Sequence, residues 1–189
     1  MDHPSKVAVG LITVRPTQKA SIIAVMTATC IASNYAMIGI ANVKIMDLLV
    51  FVTGLAFGHV TGMTVGVLTW LIYGILNPYG FSLPVLIATA SMEALYGLAG
   101  GLLSRYSKET VAEASLSASL KYAIVGFILT FIYDVGTSAA FAVSVGMDVG
   151  VALVSGIPFA VVHEGSNAVL FFLGVVPAVK GINRLLHGG

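Results

Sequence analysis

The chain has 189 residues, 58% of them hydrophobic and 9% charged, with a mean hydropathy of +1.00. Soluble domains carry roughly 25% charged residues, so the composition excludes a soluble globular protein and points to a membrane protein. Nine Lys and Arg against eight Asp and Glu leave a net charge of +1, without the basic excess that binding nucleic acid requires.

Residues 1–18, with Pro4, Lys6, Arg15 and Pro16, read as a cytoplasmic tail; they lack the short apolar region and small-residue cleavage site of a cleaved signal. The apolar runs then predict a first helix over Lys19–Met37 and a second over Ile45–Phe57. The second is short against the about 20 residues that a perpendicular span needs. A third follows over Val60–Leu76 and a fourth over Leu83–Ser104, joined by a tight turn at Asn77-Pro78-Tyr79-Gly80. After the polar stretch 105–119 comes a fifth helix over Leu120–Val143. The sixth follows the turn 146–150, runs to Lys180, and is expected to break near Gly156-Ile157-Pro158. The expected fold is therefore an all-α integral membrane protein, with residues 19–189 forming a single six-helix transmembrane bundle. Lys6, Arg15, Lys19, Arg105, Lys108, Lys121, Lys180 and Arg184 fall on one side of it and Lys44 alone on the other. The positive-inside rule then places both termini in the cytoplasm of a multi-pass cell-membrane protein.

Two rows of small residues recur at a spacing of four, which stacks them on one helical face. Ala20, Ala24, Ala28, Ala32 and Ala36 form one; Gly54, Gly58, Gly62 and Gly66 form the other, with the segment 58–62 read as the turn between helices. Small residues let helices approach closely, so the alanine row either packs inside the bundle or docks a second membrane subunit.

Three acids lie within the apolar helices: Glu93, Asp134 and Glu164. Each would cost about 2.5–3.5 kcal/mol at a bilayer centre if unrelieved. Placed by helical rise, they fall near the midplane or in the outer half, at similar depths that suit one shared cavity. A structural partnership with a His, Tyr or Lys is the plainer account of each, and His163 either serves as such a partner or caps the expected break at Pro158. No basic residue is seen inside the helices to neutralise them, so a bound ligand, water or protonation is expected to. Trp70, Tyr73, Tyr96 and Tyr133 lie toward the same side, with Asn34, Asn77 and Asn167 as neutral hydrogen-bonding groups. Tyr79 serves equally well as a marker of the membrane interface. An apolar and aromatic wall with a few polar groups is the composition of a ligand pocket.

Other chemistries lack their residues. No Gly-rich loop ending in Lys-Ser/Thr is present, so ATP hydrolysis by that route is not expected. Ser155 and His163 fall on either side of the expected helix break, which leaves a hydrolase pair without shared facing. The histidines show no metal-ligand spacing, and the lone Cys30 reads as a small packing residue. No metal, cofactor or catalytic residue is expected.

Taken together, the short helices, the alanine row, the segment Asn42-Val43-Lys44-Ile45-Met46-Asp47, the Gly-rich turn after the second helix and Asn77-Pro78-Tyr79-Gly80 resemble the substrate-binding S-component of an energy-coupling factor (ECF) transporter. The resemblance covers about Lys19 to Lys180. It implies a subunit that binds a vitamin-like micronutrient from outside and docks on a membrane T-subunit carrying two ATPases, without enzymatic activity of its own. It further implies that Ala24, Ala28 and Ala32 meet the T-subunit, and that Asn42, Trp70, Tyr73, Asn77, Glu93, Tyr96, Asp134, Glu164 and Asn167 contribute to the pocket. Because that pocket is read as acidic and aromatic with no buried Lys or Arg, a neutral or cationic heteroaromatic ligand is expected rather than an anion. The alternative is a small proton- or cation-coupled transporter acting alone, with the three acids as its relay, although no inverted repeat is evident.

Overall fold

A computed structural model describes residues 14–76, 78, 80–106 and 115–187. Among these the chain is all-helical: α1 (Pro16–Ala36), α2 (Met46–Phe57), α3 (His59–Leu76), α4 (Leu83–Tyr106), α5 (Leu116–Val145) and α6 (Val149–His187), with no strand. Local chemistry explains the boundaries. Pro16 opens α1, where its missing N–H costs nothing; the Ser115 hydroxyl accepts from the Ala118 N–H at the start of α5, and Gly146 ends that helix in the left-handed region at φ 68°. Asp148 caps α6 by accepting from the Val151 N–H at 3.1 Å. Gly58, at φ 92°, is the entire link between α2 and α3, tighter than the turn expected over 58–62.

Four helices, α3 to α6, are long and apolar enough to cross a membrane, which marks the protein as membrane-embedded. The break expected near Pro158 is absent. α6 runs unbroken through Pro158 and Pro177, because in a membrane neighbouring helices and local adjustments satisfy the backbone groups that a proline frees, and α5 lies against α6.

The shortest helix holds the centre. α2 packs against α1, α3, α4 and α6, and all its residues except Leu49 and Phe57 are buried. A helix that is apolar on every side must be enclosed, and glycines allow the enclosure to be tight. A Cβ on Gly66 would stand 3.0 Å from the Glu93 carbonyl oxygen, and side chains at Gly54, Gly62 and Gly97 would collide with one another's backbone. The glycine row thus packs α2 and α3 onto α4. The alanine row does the opposite: Ala20, Ala24, Ala28, Ala32 and Ala36 are all exposed, while Thr27, Cys30 and Asn34 face inward. Of the two readings of that row, packing inside the bundle is overturned.

Candidate functional site

The polar centre is built around His163. Its Nδ1 lies 2.8 Å from Asp134 Oδ1 on α5 and its Nε2 lies 2.9 Å from Asp47 Oδ2 at the start of α2. Asp47 Oδ2 also accepts from the Asn167 amide at 2.6 Å, and the same amide reaches the Thr130 hydroxyl at 2.8 Å. Thr130 spends its own proton on the Gly126 carbonyl at 2.7 Å, so the Tyr96 hydroxyl, 2.9 Å away, donates to it. The two ring contacts set a minimum proton count. The contact with Asp47 needs one proton, held on His163 Nε2 or on Asp47 Oδ2. The contact on the other side of the ring then needs a second proton, held on His163 Nδ1 or on Asp134 Oδ1. Two carboxylates and one imidazole thus share at least two protons, which is how three ionisable groups coexist in an apolar interior.

A cavity of about 530 Å³ adjoins this cluster. It extends from Asn42 and Met147, at the end of the bundle where α5 gives way to α6, down to Asp134 and His163, with Trp70, Tyr133, Phe141 and Phe159 as aromatic walls. Thr89, Thr137, Ser138 and Ser155 add hydroxyls. The Thr137 and Ser155 protons go to their own helices' carbonyls, which leaves their oxygens as acceptors. Among the described residues Asp134 is the only carboxylate on the lining, and its Oδ2 is buried without a hydrogen-bond partner.

The loop between α1 and α2 dips into the bundle and forms one side of the cavity. Asn42, at φ 54° the one non-glycine in the left-handed region among the described residues, donates from its side-chain amide to the Phe159 carbonyl at 3.1 Å. Its own carbonyl lies 3.4 Å from the Ser166 hydroxyl, whose single proton is shared with the His163 carbonyl at 3.0 Å. The Asn42 amide thereby ties the loop to α6. Next to it, the Lys44 ammonium stands 5.2 Å from the centre of the Trp70 ring and 4.8 Å from that of Tyr133, within range of cation–π attraction. A second cavity of about 280 Å³ lies beyond the loop and shares Asn42, Lys44 and Phe159 with the first.

The residues expected in the pocket divide accordingly. Asn42, Trp70 and Asp134 line the main cavity, and Tyr73 lines the smaller one. Glu93, Tyr96 and Asn167 are fully buried behind the lining: Glu93 accepts from Trp70 Nε1 at 3.3 Å, while Tyr96 and Asn167 brace the Asp47–His163 pair. Glu164 is half-buried and faces neither cavity. Asn77 and Tyr79 fall outside the described residues. The three acids therefore do not share one chamber. The pocket expected to hold no Lys or Arg is lined by Lys44 from the α1–α2 loop, while His163 takes the first of the two roles expected of it, as a partner for an acid. Asp47 escaped notice because it sits in the first turn of the expected second helix, where an acid is ordinary, and its partners are more than a hundred residues away. Among the described residues, no group of three or more His, Cys, Asp or Glu stands ready to hold a metal ion.

Compared with protein-family models, curated proteins and solved structures, the chain matches none.

Proposed function

We propose that the protein is a membrane-embedded binding subunit for a small vitamin-like compound, of the kind that serves an ECF transporter as its S-component. The observation that carries this reading is the cavity itself: about 530 Å³, within the usual range of small-molecule sites, walled by aromatic rings and ending on a hydrogen-bonded charged cluster. In this reading the six helices form one transmembrane bundle with both termini cytoplasmic, as the basic residues ask, and the cavity opens outward beside Asn42 and Met147. The exposed alanine row offers a membrane subunit a flat face for close helix contact, so Ala24, Ala28 and Ala32 meet a T-subunit, and separate ATPase subunits supply the energy.

One observation favours the second reading, a proton-coupled carrier acting alone. The shared proton of the His163–Asp134 contact sits at the cavity wall, where a relay would need it. The two readings separate in one experiment. The purified full chain is analysed by mass spectrometry for compounds it retains, then reconstituted in liposomes with and without an imposed pH gradient. A retained stoichiometric compound and no uptake by the chain alone supports the binding subunit. Gradient-driven uptake without partners replaces it with the carrier.

A further inference from the structure

The charged groups on the two sides of the cavity are incompletely satisfied, and in complementary ways. On the loop side, the Lys44 ammonium has three donors but touches only ring faces and, at 3.5 Å, the Tyr133 hydroxyl. No carboxylate among the described residues stands within ion-pair reach of it. On the α5 side, Asp134 gives one oxygen to His163 and has the other, Oδ2, without a partner. Between them lie the rings of Trp70 and Tyr133, 6.3 Å apart at their centres and inclined by 35°.

These features narrow what can bind. A cationic ring would compete with Lys44 for the π faces that the ammonium already covers. An anionic one would gain Lys44 but meet the Asp134 carboxylate on the lining. A neutral flat compound meets neither penalty and can satisfy both groups at once. We infer that the cavity takes an uncharged heteroaromatic compound with a hydrogen-bond acceptor on the edge facing Lys44 and a donor on the edge facing Asp134. The inference rests on the binding-subunit reading and narrows its substrate class, removing the cationic ligands that the sequence alone left open.

Trp70 is the only tryptophan in the chain, so its fluorescence reports directly on this cavity. The purified full chain is titrated with three probes: isocytosine, neutral with both edges; thiamin, a cationic ring; and nicotinate, an anionic one. In parallel, compounds that the protein retains from expression are identified by mass spectrometry. The expected result is saturable quenching by isocytosine alone, or a retained neutral heteroaromatic with both edges. Affinity for whichever compound binds should then fall about tenfold or more in Lys44→Met and again in Asp134→Asn. Thermal unfolding of each variant shows that the loss is not one of folding, and Lys44→Met, on a half-buried loop residue, keeps the test decisive if Asp134→Asn fails to fold. Binding of thiamin or nicotinate in preference, a retained charged compound, or affinity indifferent to Lys44→Met overturns the inference while leaving the binding reading standing. No quenching by any probe and nothing retained overturns both.

Discussion

His163 Nε2 lies 2.9 Å from Asp47 Oδ2 although the two residues stand 116 positions apart, and both side chains are almost wholly buried. The contact ties the start of α2 to the middle of α6. Replacing His163 with Leu would leave the Asp47 and Asp134 carboxylates without their bridge, and breaking a buried ionic partnership costs about 3–5 kcal/mol. Thermal unfolding of the variant in detergent should show a large fall in midpoint. An unchanged midpoint would mean that the bridge holds nothing together.

Glu93 is placed to hold Trp70 rather than to touch a ligand. Glu93→Gln keeps an oxygen for the indole N–H, so Trp70 emission and binding should change little. Glu93→Leu strands a buried donor, at a cost of about 1–3 kcal/mol, and should shift the emission and loosen binding. Equal behaviour of the two variants would remove the Trp70–Glu93 contact from the account.

Gly97 lies where α4 crosses α3, and its added Cβ would strike the Gly62 and Met63 backbone. Gly97→Ala should therefore destabilise the bundle by about 1–3 kcal/mol or more, the usual cost of overpacking, despite the helix-favouring nature of alanine. Gly165, around which a Cβ would meet no atom within 4 Å, supplies the control, and Gly165→Ala should leave the unfolding midpoint unchanged. If both variants behave alike, the close crossing is not what selects glycine.

Ala28 faces outward. Ala28→Leu should leave folding within about 0.5 kcal/mol of the parent and leave small-molecule binding intact, while weakening co-purification with a membrane partner when candidate subunits are co-expressed. Loss of small-molecule binding in this variant would contradict the exposed placement of the row.

The helices were legible because apolar runs between polar segments mark spans directly: α3 and α4 fall within a residue or two of their expected limits. Pro158 misled because a soluble helix usually breaks at such a residue, whereas membrane helices tolerate proline. At the site, Asn42 entered only through the family resemblance, whereas Trp70 and Asp134 announced themselves as aromatic or polar groups out of place. Lys44 and Asp47 did not, since a charged residue beside a loop needs no explanation until the loop is seen to dip into the bundle. Glu93 and Glu164 look alike in sequence, each an acid in an apolar helix. Only the turn of each helix against its neighbours buries the first behind Trp70 and leaves the second at the periphery.

The brevity of α2 bears on how the protein is made. Its 12 residues extend about 18 Å, too little to be inserted as a span in its own right, and Gly58 leaves no slack before α3. α2 is thus tied to the entry of α3, the first of the four helices long enough to cross a membrane. Its Asp47 end stays unbridged until α6, more than a hundred residues further along the chain, brings His163 and Asn167. The polar cluster therefore closes only after α6 has been made.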